Sequence, residues 1–421
     1  MKSLSSLLAK TELSPRLVGM LAVLAAIWIG FDLVTDGLFV TPRNLYNLSV
    51  QTASVAVMAT GMVFVIVMRH IDLSVGSLLG VLAMVMGVVQ TQVLPSWLGF
   101  ENPATWMLTL AAGLLLGLAI GGLQGYVIGF LGVPAFIVTL GGLLVWRGAA
   151  WWVTQGQTVA PLDSRFVLLG GGPGGTLGAT WSWVAGGLAM AAALLAMARS
   201  RRGRRKHGFP LRPLWAEALV AGLLVAAIAG TVLVLDAYEV PQRAAERIWQ
   251  TRGLGPLPEG YVMVHGLAIS VVIVVVIAIV MTVVGRSTRF GRYVYATGGN
   301  PDAAQLAGID TRLLTVKVFA LMGALCAVSA AIASARLQSA ANDLGTLDEL
   351  RVIAAAVIGG TSLAGGVGTI YGAIIGALVM QSLQSGMAMV GVTASLQSIV
   401  IGVVLVLAVF VDQLYRRGRE E

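Results

Sequence analysis

The sequence predicts an all-α fold: a polytopic helical membrane protein with about 10–12 transmembrane helices, two of them broken. Of 421 residues, 57% are apolar and only 11% are charged, whereas soluble domains carry roughly 25% charged residues. The mean hydropathy is +0.88, which excludes a soluble globular fold. Glycine supplies the third signal, with 53 residues against a usual share of about 7%. They follow no G-X-Y period, which excludes collagen, and the chain is too apolar for disorder. In lipid, small residues let helix backbones approach closely, so a glycine-rich bundle is the remaining solution.

A spanning helix needs about 20 mostly apolar residues. Residues 1–16 carry Lys2, Lys10 and Arg16 and lack a small-residue cleavage site, so they read as an uncleaved cytoplasmic tail. Apolar stretches follow at 17–35, 48–68, 74–94, 106–131, 134–153, 181–198, 214–235, 261–284, 313–335 and 395–412. Between the last two lies 350–387, apolar but interrupted by the glycine-rich run 359–368. Hydropathy leaves open whether this piece crosses once or twice, and charge decides it. With the N-terminus inside, alternate crossings bring Arg199, Arg201, Arg202, Arg204, Arg205, Lys206 and Arg212 to the cytoplasm, followed by Arg286, Arg289 and Arg292. Lys and Arg near span ends set orientation. Arg416, Arg417 and Arg419 share that side only if 350–387 crosses twice. The expectation is twelve crossings: a permease domain over 17–412, including a pair at 181–235 around an Arg-rich inner loop, and a cytoplasmic tail at 413–421. Glu239, Glu246, Asp343, Asp348 and Glu349 then fall in outer loops. The outer segments 154–180 and 236–260 serve either as surface connections or as a docking platform.

Several function classes drop out. The net charge of +8 is explained by membrane orientation, so no nucleic-acid partner is expected. Cys326 is the only cysteine, and His70, His207 and His265 lie in separate segments, which excludes a disulfide framework and gives no metal site. None of Lys2, Lys10, Lys206 or Lys317 stands in a phosphate-binding G-x-x-x-x-G-K-[ST] loop. No catalytic residues and no bound cofactor are expected. Within the spans, Asp72 either caps the following helix or faces a pathway, while Arg147, Glu217 and Lys317 are expected to snorkel toward helix ends. No carboxylate or His relay of the kind used by proton-driven carriers is present.

The glycines form two groups. Gly113, Gly117, Gly121, Gly125 and Gly129 recur every four residues, which places them on one helix face as a packing surface. The other group sits at chain breaks near 71–80 and 359–372. Helix breaks at membrane depth are tolerated around a protein-lined or watery cavity. Asp72, Ser74, Ser77, Thr361 and Ser362 are therefore candidates for a translocation path, the competing reading being simple turns.

The most specific segment is 291–310. Asn300 suits an N-cap, Pro301 the first helical position, Asp302 the helix dipole, and Gly308 a helix end. This short helix between two spans packs either on the inner ends of its own bundle or on a partner. Asp302-Ala303-Ala304 with Gly308 resembles the E-A-A-x-x-x-G coupling motif of permeases in binding-protein-dependent ABC importers, with Asp in place of Glu. Together with Ile71-Asp72-Leu73-Ser74-Val75-Gly76-Ser77, the run 136–142, Gly298-Gly299-Asn300-Pro301 and the run 357–368, it is similar to the monosaccharide permeases of the ribose, xylose, arabinose and galactose type. The resemblance covers about 44–412, and the added pair at 181–235 is similar to the longer xylose permeases. It implies a homodimeric permease subunit in a bacterial inner membrane, with both termini cytoplasmic. It also implies a cytoplasmic ABC ATPase dimer, with its ATP and magnesium, gripping Asn300, Pro301, Asp302, Ala303, Ala304 and Gly308, and a periplasmic or lipid-anchored sugar-binding protein outside. The expected cargo is D-xylose or another pentose; the alternative is a self-contained secondary carrier for a small neutral solute.

Overall fold

The computed structural model describes residue 12 and residues 14–251, 253, 255–258 and 260–420; most of the expected N-terminal tail, with Lys2 and Lys10, and residue 421 lie outside the described residues. Among those described, the chain is helical with no strand, and its β pairing is limited to isolated bridges such as Val159 with Ala340. The first half comprises α1 (Pro15–Val34), α2 (Pro42–Val67), α3 (Val75–Leu98, with a π-helical turn at Val89–Val93), α4 (Thr105–Gly129), α5 (Ala135–Thr154), α6 (Gly178–Lys206) and α7 (Leu214–Asp236). The second half comprises α8 (Gln242–Thr251), α9 (Ile269–Ser287), α10 (Arg289–Gly299), α11 (Pro301–Leu306), α12 (Thr311–Leu337), α13 (Asp348–Ile358), α14 (Ile370–Met389) and α15 (Ala394–Glu420). Ten of these, α1 to α7, α9, α12 and α14, are long and apolar enough to cross a membrane. The chain is a multi-pass membrane protein.

Local chemistry starts many of these helices. Ser14, Thr41, Thr288, Asn300, Asp310 and Thr369 each accept a backbone N–H from the first turn of the helix that follows, satisfying donors that a helix start leaves orphaned. Pro follows the cap in α1, α2 and α11, where its missing N–H costs nothing.

Burial separates core from periphery. The apolar windows of α2 and α12 are 89% and 78% buried, against 11% for α6 and α7. The central pair packs through Gly61, which faces Met322 and Leu325, while Ser329 donates to the Ser54 carbonyl (2.8 Å). The peripheral helices expose Leu, Val and Ile freely, as lipid-facing surfaces do. On α4 the five glycines all face neighbours: an added Cβ would strike Met86 of α3 from Gly113, and the Gly323 and Phe319 carbonyls of α12 from Gly117 and Gly121. At Gly125 and Gly129 it would sit 2.7 Å from Val316 Cα and 2.6 Å from the Arg312 oxygen. Rising numbers on α4 meet falling numbers on α12, so the two run antiparallel.

Three sequence expectations change. The broken piece 350–387 divides into α13 and α14, but α13 has only 11 residues, about 16 Å of helix, so it is not a full crossing. Arg199 to Lys206 are not a loop: α6 continues through them, because Arg and Lys are good helix formers and complement the dipole at a helix C-terminus. Asp348 and Glu349 are not outer-loop residues; both are buried at the start of α13.

Candidate translocation and coupling site

α11 is positioned by its two ends. Asn300 is extended and its side chain accepts from the Ala303 N–H (3.0 Å). Gly308, at φ +81°, turns the chain so that the N–H of Ile309 returns to the Ala304 carbonyl (3.1 Å), a left-handed ending that glycine permits without strain. Ala304 is buried against the bundle, whereas Asp302, Ala303, Gln305 and Leu306 are exposed, Leu306 at 91%. The six-residue helix therefore rests on the bundle through one alanine and presents its remaining side chains, an acidic group and a leucine among them, to the outside.

The base of α11 is tied to both chain breaks. Gly298 and Gly299, at the end of α10, accept hydrogen bonds from Arg69 Nε and Nη2, each 2.8 Å. Arg69 follows α2 and leads into the first break. Gly298 also presses on the second break: a Cβ there would strike the Val67 carbonyl and lie 2.8 Å from Gly366 N. The Gly366 N–H donates to Val67 (3.0 Å) and the Tyr295 hydroxyl of α10 to the Gly368 carbonyl (2.8 Å). Only glycine permits this triple approach of backbones.

At the first break, Asp72, Ser74 and Ser77 are fully enclosed. Asp72 Oδ1 accepts from both the Ser74 N–H (2.9 Å) and the Ser74 hydroxyl (2.6 Å). It thus organises an Asx-type turn just ahead of α3 rather than capping the first turn of that helix. Gln124, from the glycine face of α4, donates to the Ser74 hydroxyl (3.1 Å), and the Ser77 hydroxyl donates to the Ser74 carbonyl (3.2 Å). At the second break, Thr361 and Ser362 are also buried, and their hydroxyl oxygens have no hydrogen-bond partner. No hydrogen bond joins the two sets among the described residues.

Instead, the first turn of α3 meets the start of α13. Gly76 packs against the Gly345 carbonyl and the Glu349 carboxylate. Arg147 reaches this junction, donating to the carbonyls of Asn342 (2.8 Å) and Leu344 (3.0 Å). It does not snorkel to a helix end, because carbonyls in an irregular buried segment need donors. Asp348 is paired with Arg351 (2.9 Å), while Glu349 Oε2 and Trp146 Nε1 are buried without partners. Sequence reasoning missed Gln124, Trp146, Asp348, Glu349 and Arg351 as a group, since they are scattered over three helices. No three His, Cys, Asp or Glu side chains are arranged to hold a metal among the described residues.

A glycine-packed bundle of spanning helices, with buried polar breaks and a short capped helix laid on one end, defines a polytopic membrane protein. Residues 208–409 match a family described as the branched-chain amino acid transport system permease component. The chain is 36% identical over 393 residues to the xylose transport system permease protein XylH of Haemophilus influenzae, covering 93% of this chain and 95% of the relative. It is 35% identical over 398 residues to XylH of Escherichia coli K12, covering 94% and 92%. It is 33% identical over 374 residues to the ribose import permease protein RbsC of the same strain, covering 89% and 87%. No solved structure matches. The chain belongs to this family of transport-system permeases and is a transport component.

Proposed function

We propose that the chain is the membrane-spanning subunit of an ATP-driven importer for a monosaccharide, D-xylose or another pentose. The observation that carries the substrate class is the likeness to two xylose permeases across more than nine-tenths of the chain. A path whose proposed polar residues are hydroxyls apart from the single carboxylate Asp72 suits a neutral, hydroxyl-rich solute.

In this reading the chain hydrolyses nothing itself. A cytoplasmic ABC ATPase dimer, holding ATP and magnesium, grips the exposed side chains of α11, and a periplasmic or lipid-anchored sugar-binding protein docks on the opposite face, at the α8 side of the chain. Two copies of the permease form the pathway in a bacterial inner membrane, with the N-terminus and α11 cytoplasmic; the cytoplasmic C-terminus expected from charge requires a second crossing that α13 is too short to make. The drive works only through contacts that differ between two states. Pulling α11 displaces Gly298 and Gly299, which hold Arg69 and press on 365–366, so one motion reaches both breaks. Asp72, Ser74, Ser77, Thr361 and Ser362 then line or gate the path.

The test is co-purification. Full-length permease expressed with the ATPase of its own sugar system should retain that subunit, and Asp302→Lys or deletion of 300–309 should abolish retention. Association undiminished in both variants would remove α11 from the coupling role.

A further inference from the structure

The basic end of the α6–α7 pair has two faces with different chemistry. Arg201 turns toward α7 and pairs with Glu217. Arg204 and Arg212 both close on Glu12, each at 2.7 Å, so this face fastens Glu12 to the pair. Arg199, Arg202 and Lys206, three and four residues apart along α6, share another side of the helix. All three are exposed, and none pairs with an acidic side chain among the described residues.

Directly beyond this row the chain exposes an apolar rim. Phe209, Leu211, Leu214 and Trp215 are 63%, 42%, 70% and 45% exposed. Because α6 and α7 are both of spanning length, this end lies where the hydrocarbon gives way to headgroups. Aromatic residues favour that boundary, and clustered cations there attract anionic lipid. Orientation alone depends on the number of charges and treats every Arg alike. Here the paired cations build the fold, and three of the unpaired ones form a row bordered by side chains that suit a glycerol backbone and acyl chain.

We infer that Arg199, Arg202 and Lys206, with the rim from Phe209 to Trp215, form a binding site for the phosphate headgroup of an anionic phospholipid. The cations hold the headgroup and the rim seats its acyl portion. The inference does not depend on which sugar is carried or on the ATPase.

The test uses the purified full-length chain with phosphatidylglycerol or phosphatidylcholine, reading retained lipid by native mass spectrometry. The wild-type chain should retain phosphatidylglycerol in preference, and Arg199→Gln/Arg202→Gln/Lys206→Gln should lower that retention by at least about tenfold. Arg199→Lys/Arg202→Lys should preserve it. Equal retention by the triple Gln variant would overturn the proposal, as would displacement of the lipid by inorganic phosphate at comparable concentration, which would indicate a site for a soluble anion. If the triple variant does not fold, the wild-type chain still decides: added salt should release phosphatidylglycerol and spare phosphatidylcholine, and salt-insensitive retention would overturn the proposal.

Discussion

At Gly117 and Gly121 one added atom is damaging, because backbone carbonyls of α12 occupy the space a Cβ would take. Side chains can rotate away from an intruder, but carbonyls move only with their helix. Gly121→Val should lower stability by about 1–3 kcal/mol or more, seen as an earlier melting midpoint in detergent, whereas Gly122→Ala, with no atom nearer than 3.9 Å, should melt as the wild type does. His265 offers a pH test. It stacks on Tyr238 at 4.2 Å between ring centres, and its Nδ1–H donates to the Tyr238 carbonyl (3.1 Å). Burial lowers its pKa below the usual 6.5, so the unfolded chain binds the proton more readily. Its contribution is therefore complete above 6.5 and declines as pH falls below that value. Melting of the wild-type chain should become pH-sensitive between about pH 7 and 5, and His265→Gln should reduce that sensitivity. Glu12 has the same sign in a lower window: hydrogen bonds from Arg204 and Arg212 hold its carboxyl down to about 2, so its contribution is complete above the usual 4.5 and is lost as pH falls through about 2.

Among the elements, α10 and α11 carry the proposed coupling, and Arg69 is their link to the first break. Arg69→Gln should leave ATPase retention intact, since Arg69 is not part of α11, while reducing sugar uptake by an order of magnitude or more through loss of two charge-assisted hydrogen bonds. Uptake at the wild-type rate would sever the proposed link. How legible these elements were depends on how local their causes are. Asn300, Pro301 and Gly308 could be read from sequence because a cap, a first-turn proline and a left-handed ending are settled by adjacent residues. The glycine face of α4 was readable because spacing alone puts its members on one side. The start of α13 was not, because Asp348 and Glu349 look locally like an outer loop, as the exposed Asp343 before them does. The burial of Asp348 and Glu349 depends on Arg147 and Gly76, which are distant in sequence. The helical character of Arg199 to Lys206 was hidden for a different reason: a run of charges after an apolar stretch marks where a span leaves the membrane, not where its helix stops.

At the scale of the whole molecule, a buried centre of α2 and α12 carries helices that expose apolar faces to lipid or to other chains. The class of the protein was legible from composition, and its membership of the permease family follows from likeness over nearly its full length. The central claim is that this permease moves a pentose only when a separate ATPase drives it through α11. The most direct test is uptake of labelled D-xylose into proteoliposomes containing the full-length chain with its ATPase and sugar-binding protein. The account predicts uptake that requires ATP and collapses with Asp302→Lys, while the variant keeps its wild-type melting midpoint. Xylose uptake at an undiminished rate by the permease alone, without ATP or ATPase, would contradict it and identify a self-contained carrier.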